Sequence, residues 1–230
     1  MKMQKSVCVA VLLGATTSIA QAQTEAGKLL LGGYINYSST KTNTTPLNAT
    51  PGTNTAKNFN VGPKIGVFVA NNLVLGLGVA TSYNKQVSSY TDNTNTNPFQ
   101  YTNTFTVKGI EAGPFVRYYW MIDEKIGFYG QLIGGYQHQK QSSVSTSSNY
   151  YTSEGKSNGG YATVLPGFVF FPTEKFGLEL MAGNFSYSKW KGNNRSNMSQ
   201  SSSNYTSSSI LTNFGLQYLT IGASLYLGKG

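Results

Sequence analysis

Eight stretches of about ten residues alternate between apolar side chains and small or polar ones, and the connections between them alternate between long and short. Alternation with a period of two residues indicates β-strands that have one apolar face. Short turns on one side and long loops on the other give a barrel two unlike ends, which is typical of outer-membrane barrels. The pattern therefore predicts an all-β protein, an eight-stranded antiparallel up-and-down transmembrane β-barrel.

The third predicted strand shows the alternation most clearly, with Leu73, Leu75, Leu77 and Val79 on one face and Gly and Ser residues on the other. Turning the leucines inward would overfill the lumen and leave a glycine-rich surface in water. Turning them outward to lipid fits, because a closed barrel leaves no backbone group unpaired in hydrocarbon. The predicted strands cover residues 28–37, 59–70, 73–83, 105–121, 125–136, 161–171, 176–187 and 214–227.

Four long connections are rich in Ser, Thr, Asn and Tyr and are predicted to be polar loops, over about 38–57, 84–103, 139–158 and 191–209. Three prolines at similar positions, Pro63, Pro114 and Pro166, indicate that one hairpin unit is reused along the chain. Because proline cannot donate to a ladder and every strand of a closed barrel has two neighbours, we expect a β-bulge at each of them.

The first 22 residues have the pattern of a secretory signal peptide. Lys2 and Lys5 precede an apolar run from Val7 to Ala15, and small residues surround the expected cleavage site after Ala22. Residues 23–230 then form one barrel domain without cysteine, since the one cysteine, Cys8, lies in the signal. A lipoprotein signal centred on Cys8 is disfavoured because too few apolar residues precede it.

Aromatic side chains cluster near both ends of the predicted strands and are interpreted as interfacial girdles. The alternative is the ordinary strand preference of Tyr and Phe. The interfacial candidates are Tyr118, Trp120, Phe170, Phe176, Tyr83 and Trp190.

The segment from Gly62 to Gly78 and the close at Ile221–Leu227 resemble the small outer-membrane β-barrel family of Gram-negative bacteria. This family includes the OmpX type and the transmembrane domain of the OmpA type. The resemblance implies a porin-like, OmpA-like cell-surface barrel in the Gram-negative outer membrane, with both termini in the periplasm and the long loops outside. It also implies contact with the outer-membrane assembly machinery during biogenesis, for which Tyr226 and Leu227 are the candidate signal in place of a terminal aromatic residue.

Strand parity places four charged side chains inside the barrel: Lys64, Glu111, Arg117 and Glu179. Buried ions require partners because their desolvation is costly, so a structural ion-pair network is expected, with an exchanging gate as the alternative. Arg117 and Glu179 both lie near short turns, where they can meet. Lys64 can reach Glu111 only if strand tilt closes their height difference. Eight strands enclose a lumen that side chains can fill, which disfavours an open pore.

Catalytic chemistry finds little support in the sequence, so neither an enzyme nor a cofactor is expected. The single histidine, His138, lies at the rim beside Gln and Lys, with no carboxylate near it in sequence. We find no metal-ligand cluster and no phosphate-binding motif. A lipid-active outer-membrane enzyme that uses His138 is the least favoured of the functional classes.

The long loops carry most of the positive charge of the mature chain and point to an anionic partner. Without Lys2 and Lys5, the 17 basic residues become 15, against 8 acidic ones. Lysines that merely keep the loops solvated are the alternative. The leading functional class is a monomeric structural or surface-interaction protein that contacts outer-membrane lipid, lipopolysaccharide or another surface ligand, and no nucleic acid. A narrow channel or carrier for small solutes is the second class. The basic candidates in the loops are Lys41, Lys57, Lys189, Lys191 and Arg195.

Overall fold

The computed structural model of the chain describes residues 23–45, 51–92, 99–146, 151–196 and 202–228. The predicted signal peptide lies outside the described residues. Ten β-segments and one short 3-10 helix follow each other in these ranges. The β-segments are β1 (Leu29–Thr44), β2 (Gly52–Ala70), β3 (Leu73–Asp92), β4 (Phe99–Asp123), β5 (Ile126–Thr146), β6 (Tyr151–Thr173), β7 (Phe176–Met181), β8 (Gly183–Ser196), β9 (Ser202–Phe214) and β10 (Thr220–Leu227), and the 3-10 helix is Leu216–Tyr218.

The sheet closes on itself as an antiparallel ring. Neighbours in sequence pair from β1 through β7, β7 then pairs with β10, and β10 pairs with β1. This ring of eight strands in the described residues confirms the predicted barrel. Ala182 alone separates β7 from β8, and residues 215–219, which include the 3-10 helix, separate β9 from β10. Each of these pairs is therefore one long barrel strand with a local break.

The strands extend far beyond their predicted ends, so the expectation of long polar loops is wrong for most of their length. The β1–β2 ladder continues from Leu29 opposite Val67 to Thr44 opposite Gly52. The β3–β4 ladder likewise reaches Asp92 opposite Phe99. Thr and Tyr favour extended backbone, but these arms are polar on both faces. The apolar alternation that reveals a half-buried strand is therefore absent from them.

The prolines interrupt pairing on one side only, and the expected bulges at Pro63 and Pro114 are wrong. Pro63 pairs with Gly33 of β1, while the β2–β3 ladder skips it without a change of register. Pro114 pairs with Leu77 of β3 and is skipped on the side of β5. Proline has no backbone N–H group to donate, so it fits where the pairing with one neighbouring strand is interrupted locally. Pro166 lies opposite Gly130 and beside the β7–β8 break at Ala182.

The barrel carries its large apolar side chains on both faces, for different reasons. Outward-facing residues are exposed along the strands, as shown by Ile35 at 59%, Leu77 at 61% and Ile221 at 66%. Inward-facing residues fill the lumen near the short turns. This buried cluster contains Leu30, Phe68, Val74, Phe115, Tyr119, Tyr129, Val169, Phe171, Met181 and Tyr226.

The ring is complete only in its lower part, where "lower" means towards the short turns. Pairing of β1 with β10 ends at Ile35 opposite Ile221. Above that point β1 pairs only with β2, and β9 pairs only with β8, in the described part of the chain. A seam between β1 and β9 therefore begins near Ile35. No helix among the described residues is long and apolar enough to cross a bilayer.

Candidate functional site

An ion-pair network crosses the lumen near the short turns. Arg117 of β4 donates from Nη1 to Oε1 of Glu179, on β7, over 2.7 Å, and from Nη2 to Oε2 over 3.1 Å. Lys64 of β2 donates to Oε2 of the same carboxylate over 2.8 Å. The Arg117 and Glu179 side chains are fully buried, and that of Lys64 is 7% exposed. Three strands of the ring are thus joined across the interior.

Neutral side chains supply further hydrogen bonds to Arg117 and Glu179. Gln131 accepts from Nε and Nη2 of Arg117 over 2.9 and 2.7 Å. The hydroxyl groups of Tyr129 and Ser224 both donate to Glu179. The Arg117 guanidinium also lies 3.9 Å from the centre of the Tyr129 ring. A buried charge cluster is favourable only when its hydrogen bonds are satisfied in this way.

The fourth predicted interior charge, Glu111, is not part of the network. Within the described residues it forms no ion pair, because Lys64 binds Glu179 instead. Glu111 lines a separate cavity of about 390 Å³ above the network. Tyr34, Lys64, Tyr161 and Thr220 also line this cavity. The sequence placed Glu111 inside the barrel but did not show that its carboxylate faces an open space.

Basic side chains form a row on the outside of the long-hairpin end, which sequence analysis did not foresee. Lys108 of β4 lies directly opposite Lys140 of β5, and Lys140 lies directly opposite Lys156 of β6. All three are exposed. Together with Arg195 of β8 they line a surface depression of about 460 Å³, which also holds Glu154. We call Lys108, Lys140, Lys156 and Arg195 the outer basic face.

The basic residues singled out from the sequence lie on strands rather than in loops. Lys41 belongs to β1 and Lys57 to β2, where it lies opposite Lys85 of β3. Lys189, Lys191 and Arg195 alternate on β8 and are exposed. The row Lys108–Lys140–Lys156 depends on the register of three strands, and polar arms carry no pattern from which that register can be read.

Most of the aromatic candidates have outward positions at the ends of the apolar band. Tyr118, Trp120 and Phe170 are exposed near the short turns, with Tyr118 and Trp120 packed edge to face at 4.9 Å. Phe176 is half-buried on the same face as exposed Leu178. At the other end the Tyr83 ring lies 5.9 Å below Nζ of Lys108. Trp190 is the exception, since it is half-buried between exposed Lys189 and Lys191 and has the inward-facing register.

The candidate assembly residues at the chain end differ in exposure. Tyr226 is buried in the lumen, where its hydroxyl group lies 3.1 Å from that of Tyr119, while Leu227 is 37% exposed. His138 is on the outer face of β5, and its Nδ1 lies 2.5 Å from Oδ1 of Asn158. The described residues contain no group of three or more His, Cys, Asp or Glu side chains that could hold a metal ion.

The apolar outer surface indicates which environment, water or hydrocarbon, surrounds the barrel. Its exposed apolar residues lie on neighbouring strands at matching registers, as with Leu31, Ile65 and Leu77. A continuous band of this kind is unfavourable in water and favourable in hydrocarbon. The chain has the fold of a small outer-membrane β-barrel. In this barrel, aromatic side chains lie at the ends of the apolar band, and the ion-pair network of Lys64, Arg117 and Glu179 fills the interior near the short turns.

Comparisons with solved structures return outer-membrane proteins at low sequence identity. Ail, the attachment invasion locus protein of Yersinia pestis, is 15% identical, with a TM-score of 0.34, and the match covers 88% of this chain and 99% of that chain. Ail in complex with the heparin analogue sucrose octasulfate is 14% identical, with a TM-score of 0.38. That match covers 88% of this chain and 99% of the Ail chain. The outer membrane protein OprG from Pseudomonas aeruginosa is 12% identical, with a TM-score of 0.44. That match covers 90% of this chain and 98% of the OprG chain. No family model matches the chain, and no curated protein matches its sequence.

Proposed function

We propose that this barrel is a structural surface protein of the Gram-negative outer membrane, and that its outer basic face binds phosphate groups of lipopolysaccharide. The observation that carries the proposal is the row of Lys108, Lys140 and Lys156 on three adjacent strands. Directly opposed side chains in a sheet have Cβ atoms about 5 Å apart, and like charges at that distance destabilise the sheet. An anionic ligand removes this repulsion.

The height of the row relative to the apolar band points to lipid headgroups. Lys140 is two outward positions beyond Tyr136, and Lys108 lies directly opposite Tyr83. Tyrosines at the edge of an apolar band mark the level of the headgroups. This height supports contact between the basic side chains and lipid phosphates, in the proposed orientation with the long hairpins outside the cell.

The charge of the depression favours an anion. Glu154 is its one carboxylate among the described residues, against the four cations of the outer basic face. Arg195 lies opposite Glu154 in the ladder, so the two side chains compensate each other locally. The three lysines have no carboxylate directly opposite them in the ladders, which suits a ligand with more than one phosphate.

The test compares two variants that each lose two positive charges. Lys140→Gln/Lys156→Gln changes the outer basic face, and Lys125→Gln/Lys175→Gln changes the short turns of the same part of the barrel. Purified barrels in detergent micelles are mixed with lipopolysaccharide or with its dephosphorylated form, and the unfolding temperature is measured. A ligand that binds the folded state alone raises this temperature.

We expect phosphorylated lipopolysaccharide to stabilise the wild type and the short-turn variant, and to have a clearly smaller effect on the Lys140/Lys156 variant. The dephosphorylated form is expected to stabilise none of them. Equal stabilisation of both variants, or equal stabilisation by both forms of the lipid, would contradict the proposal.

A further inference from the structure

The cavity above the ion-pair network has the properties of a ligand site. Its volume of about 390 Å³ falls in the range of small-molecule pockets, roughly 300 to 1,000 Å³. We propose that it binds a small organic cation, a primary amine that carries an apolar group, and that Glu111 is the side chain that binds the ammonium group. This inference does not depend on the outer basic face.

The charges that line the cavity single out Glu111. Its one cationic lining residue among those described, Lys64, is held by Glu179 at 2.8 Å and is 7% exposed on its side chain. Glu111 has no ion pair in the described part of the chain and is half-buried. A carboxylate withdrawn from water without a partner is costly, and a bound ammonium group offsets that cost. Glu111 is therefore the one acidic lining residue, among those described, that has no ion-pair partner and is available to a cation.

The remaining lining fits a cation that has an apolar portion. Tyr34 and Tyr161 line the same cavity as Glu111, and tyrosine rings attract ammonium groups through their π-faces. Ile133, Leu165 and Met181 supply an apolar surface. A site that combines one carboxylate, two phenol rings and aliphatic groups discriminates an aryl or alkyl amine from a neutral or anionic molecule of the same shape.

The cavity reaches the lower end of the seam between β1 and β9, and the ion-pair network lies below it. Asn36 and Thr220 line it directly above the last β1–β10 pair, Ile35 with Ile221, and Asn36 donates a hydrogen bond to Thr220 over 3.3 Å. Beyond this contact no β-pairing joins β1 to β9 within the described ranges. The network of Lys64, Arg117 and Glu179 blocks the lower end. A ligand thus enters and leaves by the seam or the long-hairpin end, which makes this a binding pocket and not a passage.

Two probes of the same shape test the charge requirement: 2-phenylethylamine and its neutral analogue 2-phenylethanol. Binding to the folded barrel in micelles is measured by isothermal titration calorimetry. The decisive variant is Glu111→Gln, which keeps the shape and removes the charge. Glu174→Gln, in the exposed turn between β6 and β7, is the matched control. Heat-modifiable gel mobility confirms that each variant is folded.

We expect the amine to bind the wild type and the control equally, and to bind Glu111→Gln at least tenfold more weakly. We expect 2-phenylethanol to bind all three proteins weakly, with an affinity similar to that of 2-phenylethylamine for the Glu111→Gln variant. A second variant, Thr163→Phe, places a ring in the cavity without altering Glu111 and is expected to abolish amine binding.

Equal amine binding by Glu111→Gln and the wild type would overturn the proposal, as would equal binding of the two probes. A Glu111→Gln barrel that is less stable but keeps the wild-type affinity also overturns it, because Glu111 would then only balance the excess positive charge of the network. If Glu111→Gln does not fold, the result for Thr163→Phe decides, and unchanged binding there contradicts the site.

Discussion

The Arg117 guanidinium lies 2.7 Å from the Glu179 carboxylate inside the barrel, and both side chains are fully shielded from solvent. Since Lys64 shares the same carboxylate, one acidic group pairs with two cations, and the three charges together leave one positive charge in excess. Glu179 is thus the residue on which the whole network depends. Its removal leaves two buried positive charges facing each other.

Replacing Glu179 should therefore destabilise the barrel strongly. Breaking a buried ion pair by removing one partner costs about 3 to 5 kcal/mol. We expect Glu179→Gln to lower the free energy of unfolding by about that amount, measured by urea unfolding in lipid vesicles. Glu174→Gln, in the exposed turn between β6 and β7, serves as the control and should show no measurable change. A loss of less than about 1 kcal/mol for Glu179→Gln would mean that water reaches the network and screens it.

Close backbone contact between β4 and β5 makes Gly113 sensitive to a single methyl group. An added Cβ atom would overlap the carbonyl oxygen of Gly134, which is backbone and cannot turn away. Overpacking of this kind costs about 1 to 3 kcal/mol. We expect Gly113→Ala to reduce the folded fraction in a refolding assay. At Gly160 the nearest atom is 3.7 Å from an added Cβ, so Gly160→Ala should fold like the wild type, and equal behaviour of the two variants would refute the register assigned to β4 and β5.

The closed lumen predicts an absence of ion conduction. Arg117, Tyr119 and Tyr129 are buried at the level of the network, and side chains of this size fill an eight-stranded barrel. We expect no stepwise single-channel currents from the wild type in planar bilayers, compared with a detergent-only control. Reproducible current steps would instead favour the alternative of a narrow channel.

The predicted signal peptide determines where the mature chain begins. Cleavage after Ala22 gives Gln23 as the first residue, and residues that follow it are packed against the short turns: the Asn72 backbone nitrogen donates to the Thr24 carbonyl oxygen over 2.8 Å. We expect the intact mass of the protein isolated from membranes to correspond to residues 23–230. A lipid-modified mass that begins at Cys8 would show that the signal has been misread.

How much the sequence could predict depends on how strongly each part of the chain is patterned. Leu73, Leu75 and Leu77 follow one face of a strand, and this regularity revealed the barrel and the inward position of Arg117 and Glu179. Such a pattern shows which face a side chain is on, but it does not show which residue a long side chain contacts across the lumen. The sequence allows Lys64 to pair with Glu111, yet its side chain extends to Glu179 on another strand.

The parts that were not predicted are those where both faces of a strand are polar. The arms that carry Lys140 and Lys156 show no apolar alternation, so neither their strand character nor their register was evident. The predicted bulges at Pro63 and Pro114 are wrong for another reason. Each proline lacks a backbone N–H group, and the hydrogen-bonded pairing with one neighbouring strand is interrupted there without an inserted residue. The three-dimensional structure alone shows which neighbouring strand is affected.

The exposed apolar band and the ring of eight strands predict that this chain spans a membrane as a closed barrel. Cell fractionation combined with heat-modifiable gel mobility tests it most directly, because a closed barrel resists unfolding by detergent at room temperature and migrates differently after boiling. We predict that the mature protein is found in the outer-membrane fraction and shifts in mobility between unheated and boiled samples. Recovery in the soluble periplasmic fraction, with the same mobility before and after boiling, would contradict the account.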